Sequence, residues 1–180
     1  MPRVSYLLTT LAIVAIGLGA TIVSTSATAQ EDGAIPPDHP LIGTWRVTGT
    51  SAGEEFPLIT TWSADGTVVG IEPLVLAVGP DFVVFNTPSL GTWEATGDDS
   101  GAFTVETLAS DGQGNFAGTV TVSGVWQASE DGQAVTGTYA YSAADPMGNV
   151  IVAGQGTDEG TRLTVIPMDE LATPAASPAA

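Results

Sequence analysis

The feature that most constrains this chain is a recurrence of turn signals, about every 8–14 residues, between runs too short for ordinary helices. Ala64-Asp65-Gly66 separates LITTWS from TVVGI, and Gly97-Asp98-Asp99-Ser100-Gly101 separates TWEAT from AFTVETLAS. Asp111-Gly112-Gln113-Gly114-Asn115 leads into FAGTVTVSGVWQ, and Ser129–Gly132, Asp145–Asn149 and Gly156–Gly160 continue the series. Glycine in these breaks supplies the left-handed residue that short reversals need. A chain that reverses this often builds successive hairpins, and therefore an antiparallel up-and-down sheet.

The runs between the breaks alternate. Phe116, Gly118, Val120, Val122, Gly124 and Trp126 fall on one face of their run, with Ala117, Thr119, Thr121, Ser123 and Val125 on the other. Val135, Gly137, Tyr139 and Tyr141 repeat the pattern against Ala134, Thr136, Thr138 and Ala140. Period two with one apolar face is the mark of half-buried antiparallel strands. Glycines on the apolar face suit a tightly curled sheet or a close approach. An open sheet of this length leaves two edges, and closure removes them. The expected fold is therefore all-β, an antiparallel up-and-down β-barrel of about eight to ten strands, in preference to a sandwich. One stretch resists the pattern. Residues 73–90 (PLVLAVGPDFVVFNTPSL) are apolar, broken by Pro73, Pro80 and Pro88, and read as an extra strand with a strap across one end, or as a lid.

The barrel is assigned to residues 41–167, and the ends read differently. Residues 1–29 have a basic Arg3, an apolar run from Tyr6 to Leu18 and a small-x-small site at Ala27-Thr28-Ala29, the layout of a secretory signal peptide cut after Ala29. The alternative is an uncleaved membrane anchor. Residues 30–40 form a Pro-rich linker, and residues 168–180, ending ATPAASPAA, read as a disordered tail. The expected location is extracellular. Export without a single Cys leaves no disulfide, so the core must hold the fold unaided.

Charge narrows the partners. The chain carries 20 Asp and Glu, no Lys and three Arg, for a net charge of −17, and only Arg46 and Arg162 lie beyond the leader. Such a surface repels phosphate backbones and anionic lipid heads, so neither nucleic acid nor a membrane surface is an expected partner. Without Lys there is no Schiff-base chemistry.

The tripeptide Gly-Thr-Trp occurs at Gly43–Trp45 and again at Gly91–Trp93, each followed by Thr-Gly, and Gly124-Val125-Trp126 is a third Gly-x-Trp. A large flat ring near a strand start can plug a barrel end, and a glycine two residues earlier lets the neighbouring backbone come close. Here the sequence resembles the lipocalin and wider calycin barrels. Leu41-Ile42-Gly43-Thr44-Trp45 is similar to their Gly-x-Trp on the first strand, and Arg162 in Gly160-Thr161-Arg162-Leu163 to their Arg on the last. It is also similar to bacterial secreted lipocalin-like domains of unknown function through His39–Trp45, Ala64–Thr67, Gly91–Gly97, Asp145–Asn149 and Gly160–Arg162. The resemblance implies a calycin-like barrel in which Gly43, Trp45 and Arg162 close one end, the Arg stacked over the Trp where first and last strands meet. It implies a lumen that takes a small apolar ligand.

The inward set expected to line that lumen is Trp62, Trp93, Phe103, Phe116, Val120, Trp126, Tyr139 and Tyr141. No cofactor, metal site or catalytic residue is assigned, and the expected partner is one small hydrophobic molecule bound to a monomer. His39, the single His, reads as exposed or packed in the plug. The pairs Glu54-Glu55, Asp98-Asp99 and Asp158-Glu159 read as solvated loop charges. Asp111-x-x-Gly-Asn115 and Asp145-x-x-Gly-Asn149 fit either calcium-type loops or a type I turn with a left-handed Gly. Two other readings stay open. One is an isomerase or cyclase, resembling the allene oxide cyclase branch of such barrels, with Glu106 or Glu72 as its lumenal carboxylate. The other is a filled barrel serving as a surface or interaction domain.

Overall fold

The computed structural model describes residues 34–73, 75–79 and 82–171. Ten strands follow in chain order: β1 (Gly43–Ser51), β2 (Glu54–Trp62), β3 (Thr67–Ile71), β4 (Val75–Gly79), β5 (Phe82–Asn86), β6 (Ser89–Ala95), β7 (Ser100–Ser110), β8 (Phe116–Ala128), β9 (Ala134–Ala144) and β10 (Val150–Arg162). Eight of them close a barrel, β1-β2-β3-β6-β7-β8-β9-β10, and β10 returns to pair with β1 from Trp45↔Arg162 to Ser51↔Gly156. Every neighbouring pair is antiparallel. The expected all-β up-and-down barrel is therefore the observed fold, with eight strands in the wall.

Segment 73–90 supplies the other two strands. β4 and β5 form a hairpin inserted between β3 and β6, held to the far end of β7 by Phe85↔Ser110 and Asn86↔Ala109. β5 extends the sheet along the far end of β7, with Val84 buried between exposed Val83 and Phe85.

The expected turn at Gly156–Gly160 is absent. β10 runs unbroken for 13 residues, and Gly154, Gly156 and Gly160 all point inward. These glycines make room and do not reverse the chain. A Cβ on Gly154 would meet the Tyr141 ring, one on Gly156 the Tyr139 ring, and one on Gly160 the side chains of Val135 and Val47. The tight β1–β2 reversal falls at Ala52-Gly53, with φ of 51° and 85°. Two consecutive left-handed residues define the hairpin turn whose twist matches the strands.

The core sits at one end. Leu41, Trp45, Val47, Trp62, Val68, Trp93, Val105, Trp126, Ala128 and Val135 form one buried cluster. The Pro-rich segment contributes to it: Ile35 packs against this cluster and His39 is buried. Residues 168–171 form one helical turn, α1 (Met168–Leu171), with no buried residue. The expected signal peptide, residues 1–29, lies outside the described residues, as do residues 30–33 and 172–180. Among the described residues, no helix is long and apolar enough to cross a membrane.

Candidate functional site: the barrel interior

Closure of the lower end is built from β1 and β10. Trp45 is fully buried and donates its indole N–H to the Leu41 carbonyl at 3.0 Å. The Arg162 guanidinium lies 4.2 Å from the centroid of that ring. Its Nε donates to Gly132 O at 2.6 Å, Nη1 to Ile42 O at 2.8 Å, and Nη2 to Pro40 O. The planar fork thus ties the incoming segment, the β8–β9 turn and the last strand together. Gly43 was expected to admit a neighbouring backbone; the group it admits is the guanidinium itself, since a Cβ at position 43 would collide with Nη1. In the second copy, Gly91 does make way for backbone, at Thr104 and Val105. The two Gly-Thr-Trp copies share a place near the floor and differ in what their glycines accommodate.

His39 completes this end. It accepts from the Leu41 amide at Nδ1 (3.2 Å) and so carries its proton at Nε2, which donates to Gly97 O at 3.1 Å. Its ring meets Trp93 edge-on at 5.3 Å. Of the two positions expected for it, the structure shows the plug-packed one.

Above the plug lies an aromatic floor. Trp62 stacks on Trp126 at 4.8 Å and 20°, and tilts against Trp93 at 5.1 Å and Phe103 at 5.5 Å. Trp93 donates its N–H to Ser63 O at 2.8 Å. Trp62 Nε1 is buried without a partner.

Asp158 stands next to this floor. It lies on β10, inward and only 5% exposed, and its Oδ2 accepts from Trp126 Nε1 at 2.8 Å. The other oxygen, Oδ1, is buried and unpartnered. Burial pushes the Asp158 carboxyl above its ordinary range, against the lowering effect of the Trp126 bond. The sheet register explains how Asp158 is reached. Trp126 pairs with Gly137, Gly137 with Asp158, Asp158 with Gly49, and Gly49 with Phe56. Both immediate neighbours of Asp158 are glycine. The Trp126 indole lies across Gly137, and the Phe56 ring lies across Gly49, 2.5 Å from where a Cβ would stand. One carboxylate therefore sits between two aromatic side chains that lean over vacant positions.

The wall above is more polar. Tyr139 bonds Thr50 O at 3.3 Å, and burial, followed by the Asp158 charge, pushes its hydroxyl up to about 12. Ser89 donates to Glu72 Oε1 at 3.1 Å and receives the Thr107 hydroxyl at 2.6 Å. Phe56, Leu58, Glu72, Val120, Val122 and Tyr141 take inward positions on their strands or, for Glu72, just beyond one, yet are only half-buried. The lower half of the barrel is filled by side chains. In the upper half Ser89, Thr107 and Ala109 are buried on one side, while Phe56, Leu58, Val120, Val122 and Tyr141 are only half-buried.

Of the expected lining residues, Trp62, Trp93 and Trp126 form the floor, Phe103 and Tyr139 the layer against it, and Val120 and Tyr141 the upper wall. Phe116 is a correction. Alternation along β8 puts it inside, but pairing shifts from Ala109↔Gly118 to Ser110↔Phe116, leaving Ala117 as an extra residue. This bulge turns Phe116 to the outer face with Ser110, where it is 51% exposed. Glu106 is also outside, accepting from Thr121 on the outer face at 3.3 Å. Arg46 is exposed on the outer face.

The acidic pairs divide. Asp98 and Asp99 are exposed in the β6–β7 turn, and Glu54 and Glu55 are exposed at the start of β2. The loop reading of Asp158 fails because β10 continues through it. Its signal was present in the inward series Gly154, Gly156, Asp158, Gly160, Arg162, hidden by glycines that read as a turn. The two Asp-x-x-Gly-Asn loops are turns with Gly114 and Gly148 left-handed at φ 83° and 85°. Asp111 Oδ1 accepts from the amides of Gln113 and Asn115, and Asp145 Oδ1 from those of Met147 and Asn149, each at 2.9 Å. These bonds, led by the Asn side chain, hold both carboxyls below their usual range. The carboxylates are spent within their own loops, and among the described residues no group of three or more His, Cys, Asp or Glu is gathered for a metal.

A closed eight-stranded antiparallel barrel with a Trp–Arg seal is compatible with a calycin-like fold. In comparisons with known proteins, no family model, no curated protein and no solved structure matches this chain.

Proposed function

We propose that this protein is an exported, lipocalin-like barrel that binds a small, largely apolar molecule in the upper half of its lumen. The observation that carries the reading is the contrast in burial along the interior. Floor residues such as Trp45, Trp62 and Val135 are 0–1% exposed, whereas Phe56, Leu58, Val120, Val122 and Tyr141, inward and nearer the opposite end, are only half-buried. Small-molecule sites are concave and apolar with a few placed polar groups, and the inward residues of the upper half, Phe56, Leu58, Val122 and Tyr141 beside Glu72, have that composition. Export is supported by the leader pattern of residues 1–29. Native mass spectrometry of the protein from its own culture medium tests the reading. A co-purifying molecule, released on unfolding, is expected. A bare protein that takes up no lipid, pigment or small aromatic compound overturns it.

One observation favours a second reading. Asp158 supplies the buried lumenal carboxylate that an isomerase or cyclase needs, in place of Glu106. Recovery of the co-purified molecule chemically unchanged after prolonged incubation with fresh protein speaks against turnover.

A further inference from the structure

Asp158 Oδ1 is a buried carboxylate oxygen without a partner, on the inward face of β10 where the aromatic floor meets the wall above it. Such groups are rare in folded proteins, and each calls for a specific complement. The complement is not another side chain. Beyond the leader the chain has three basic residues, and each is engaged or placed elsewhere: Arg46 on the outer face, Arg162 at the Trp45 seal, and His39 between Leu41 and Gly97. Glu72, half-buried on the same interior, adds a second acidic group. Aromatic rings flank Asp158 through Gly137 and Gly49, and an indole or phenyl face attracts a cation as a carboxylate does.

We propose, resting on the reading of the barrel as a small-molecule carrier, that its ligand is an organic amine whose protonated nitrogen pairs with Asp158 Oδ1 between the Trp126 and Phe56 rings. The apolar body of the amine extends toward Leu58, Val122 and Tyr141. An anionic ligand is disfavoured, because two carboxylates face it and no lumenal cation among the described residues offsets them. Trp62 Nε1, a donor, is suited to an oxygen on the same molecule.

Three probes of one shape test the assignment: 2-phenylethylamine, 2-phenylethanol and phenylacetate, titrated into the full chain at pH 7 by calorimetry and tryptophan fluorescence. The amine is expected to bind at least tenfold more tightly than the alcohol, and phenylacetate most weakly. D158N, which keeps an acceptor for Trp126, is expected to bind amine and alcohol alike while retaining the near-ultraviolet circular dichroism of the native floor. Should D158N not fold, the ranking of the three probes on the native protein decides. Alcohol binding as tight as amine binding, or undiminished amine binding by a folded D158N, overturns the amine assignment and leaves the carrier reading standing. Failure of all three probes, with no co-purifying molecule, overturns both.

Discussion

Arg162 occupies the space that a side chain at position 43 would need, so the glycine and the arginine are one device. Gly43 sits at φ 143°, and its missing Cβ admits the guanidinium that caps Trp45 and bonds three carbonyls. R162A is expected to cost about 3 kcal/mol, because charge-assisted bonds and a cation–π contact are lost together. G43A should cost a similar amount by displacing the same group. The double variant, followed by urea denaturation, should be less destabilised than the sum of the two. R162K should recover little, since one ammonium cannot reproduce a planar fork.

The Trp126–Asp158 bond depends on a vacant position between the two. G137A places a methyl group where the indole lies, and overpacking of this kind costs about 1–3 kcal/mol. Near-ultraviolet circular dichroism should lose intensity, because Trp126 stacks on Trp62. An unchanged spectrum and stability would show that the indole does not cross Gly137.

Asp158 and the loop aspartates should respond to pH in opposite senses. Burial raises the Asp158 carboxyl, so the fold favours its protonated form. Its contribution to stability is complete below the ordinary 3.8 and is lost as pH rises through the raised value. D158N removes that loss. The thermal midpoint of D158N should exceed that of the native protein at pH 7, and the gap should close on acidification. Asp111 and Asp145 are lowered, so their contributions are present above 3.8 and vanish as pH falls through the lowered values. D145A should therefore narrow the acid-side loss. Melting curves from pH 2 to 8 read both effects.

Calcium at millimolar concentration should leave the thermal midpoint unchanged. Asp111 and Asp145 are each bonded to two loop amides and an Asn side chain, and a cation would have to displace those donors. A calcium-dependent rise in the midpoint would refute this.

Ala52 holds a left-handed φ of 51° in the β1–β2 turn, a conformation unfavourable for a residue with a Cβ. Asn tolerates it better and is favoured in this turn, so A52N should stabilise the barrel by about 0.5–1 kcal/mol. Urea midpoints of the two proteins check the sign.

The strand-and-turn rhythm, the alternation over 135–141 and the Trp45–Arg162 pair were all legible without coordinates, because each is a local or family-level pattern with a direct geometric meaning. The site was legible only in part. Trp62, Trp93 and Trp126 stand out as large aromatic residues on the apolar faces of alternating strands, and they form the floor. Phe116 was misassigned because one extra residue at Ala117 inverts every face beyond it, and nothing in FAGTV marks the bulge except a glycine among many. Asp158 was missed because a Gly-rich acidic run has the composition of a loop.

The sequence by itself determined that this chain closes an antiparallel β-barrel, since short-range chemistry sets turn positions, faces and the need to remove sheet edges. Only the tertiary structure decided what the interior holds. A glycine reads the same whether it reverses the chain or makes room for a ring two strands away, and that choice depends on register across strands far apart in sequence. Register placed Asp158 between Trp126 and Phe56, and left one of its oxygens without a partner.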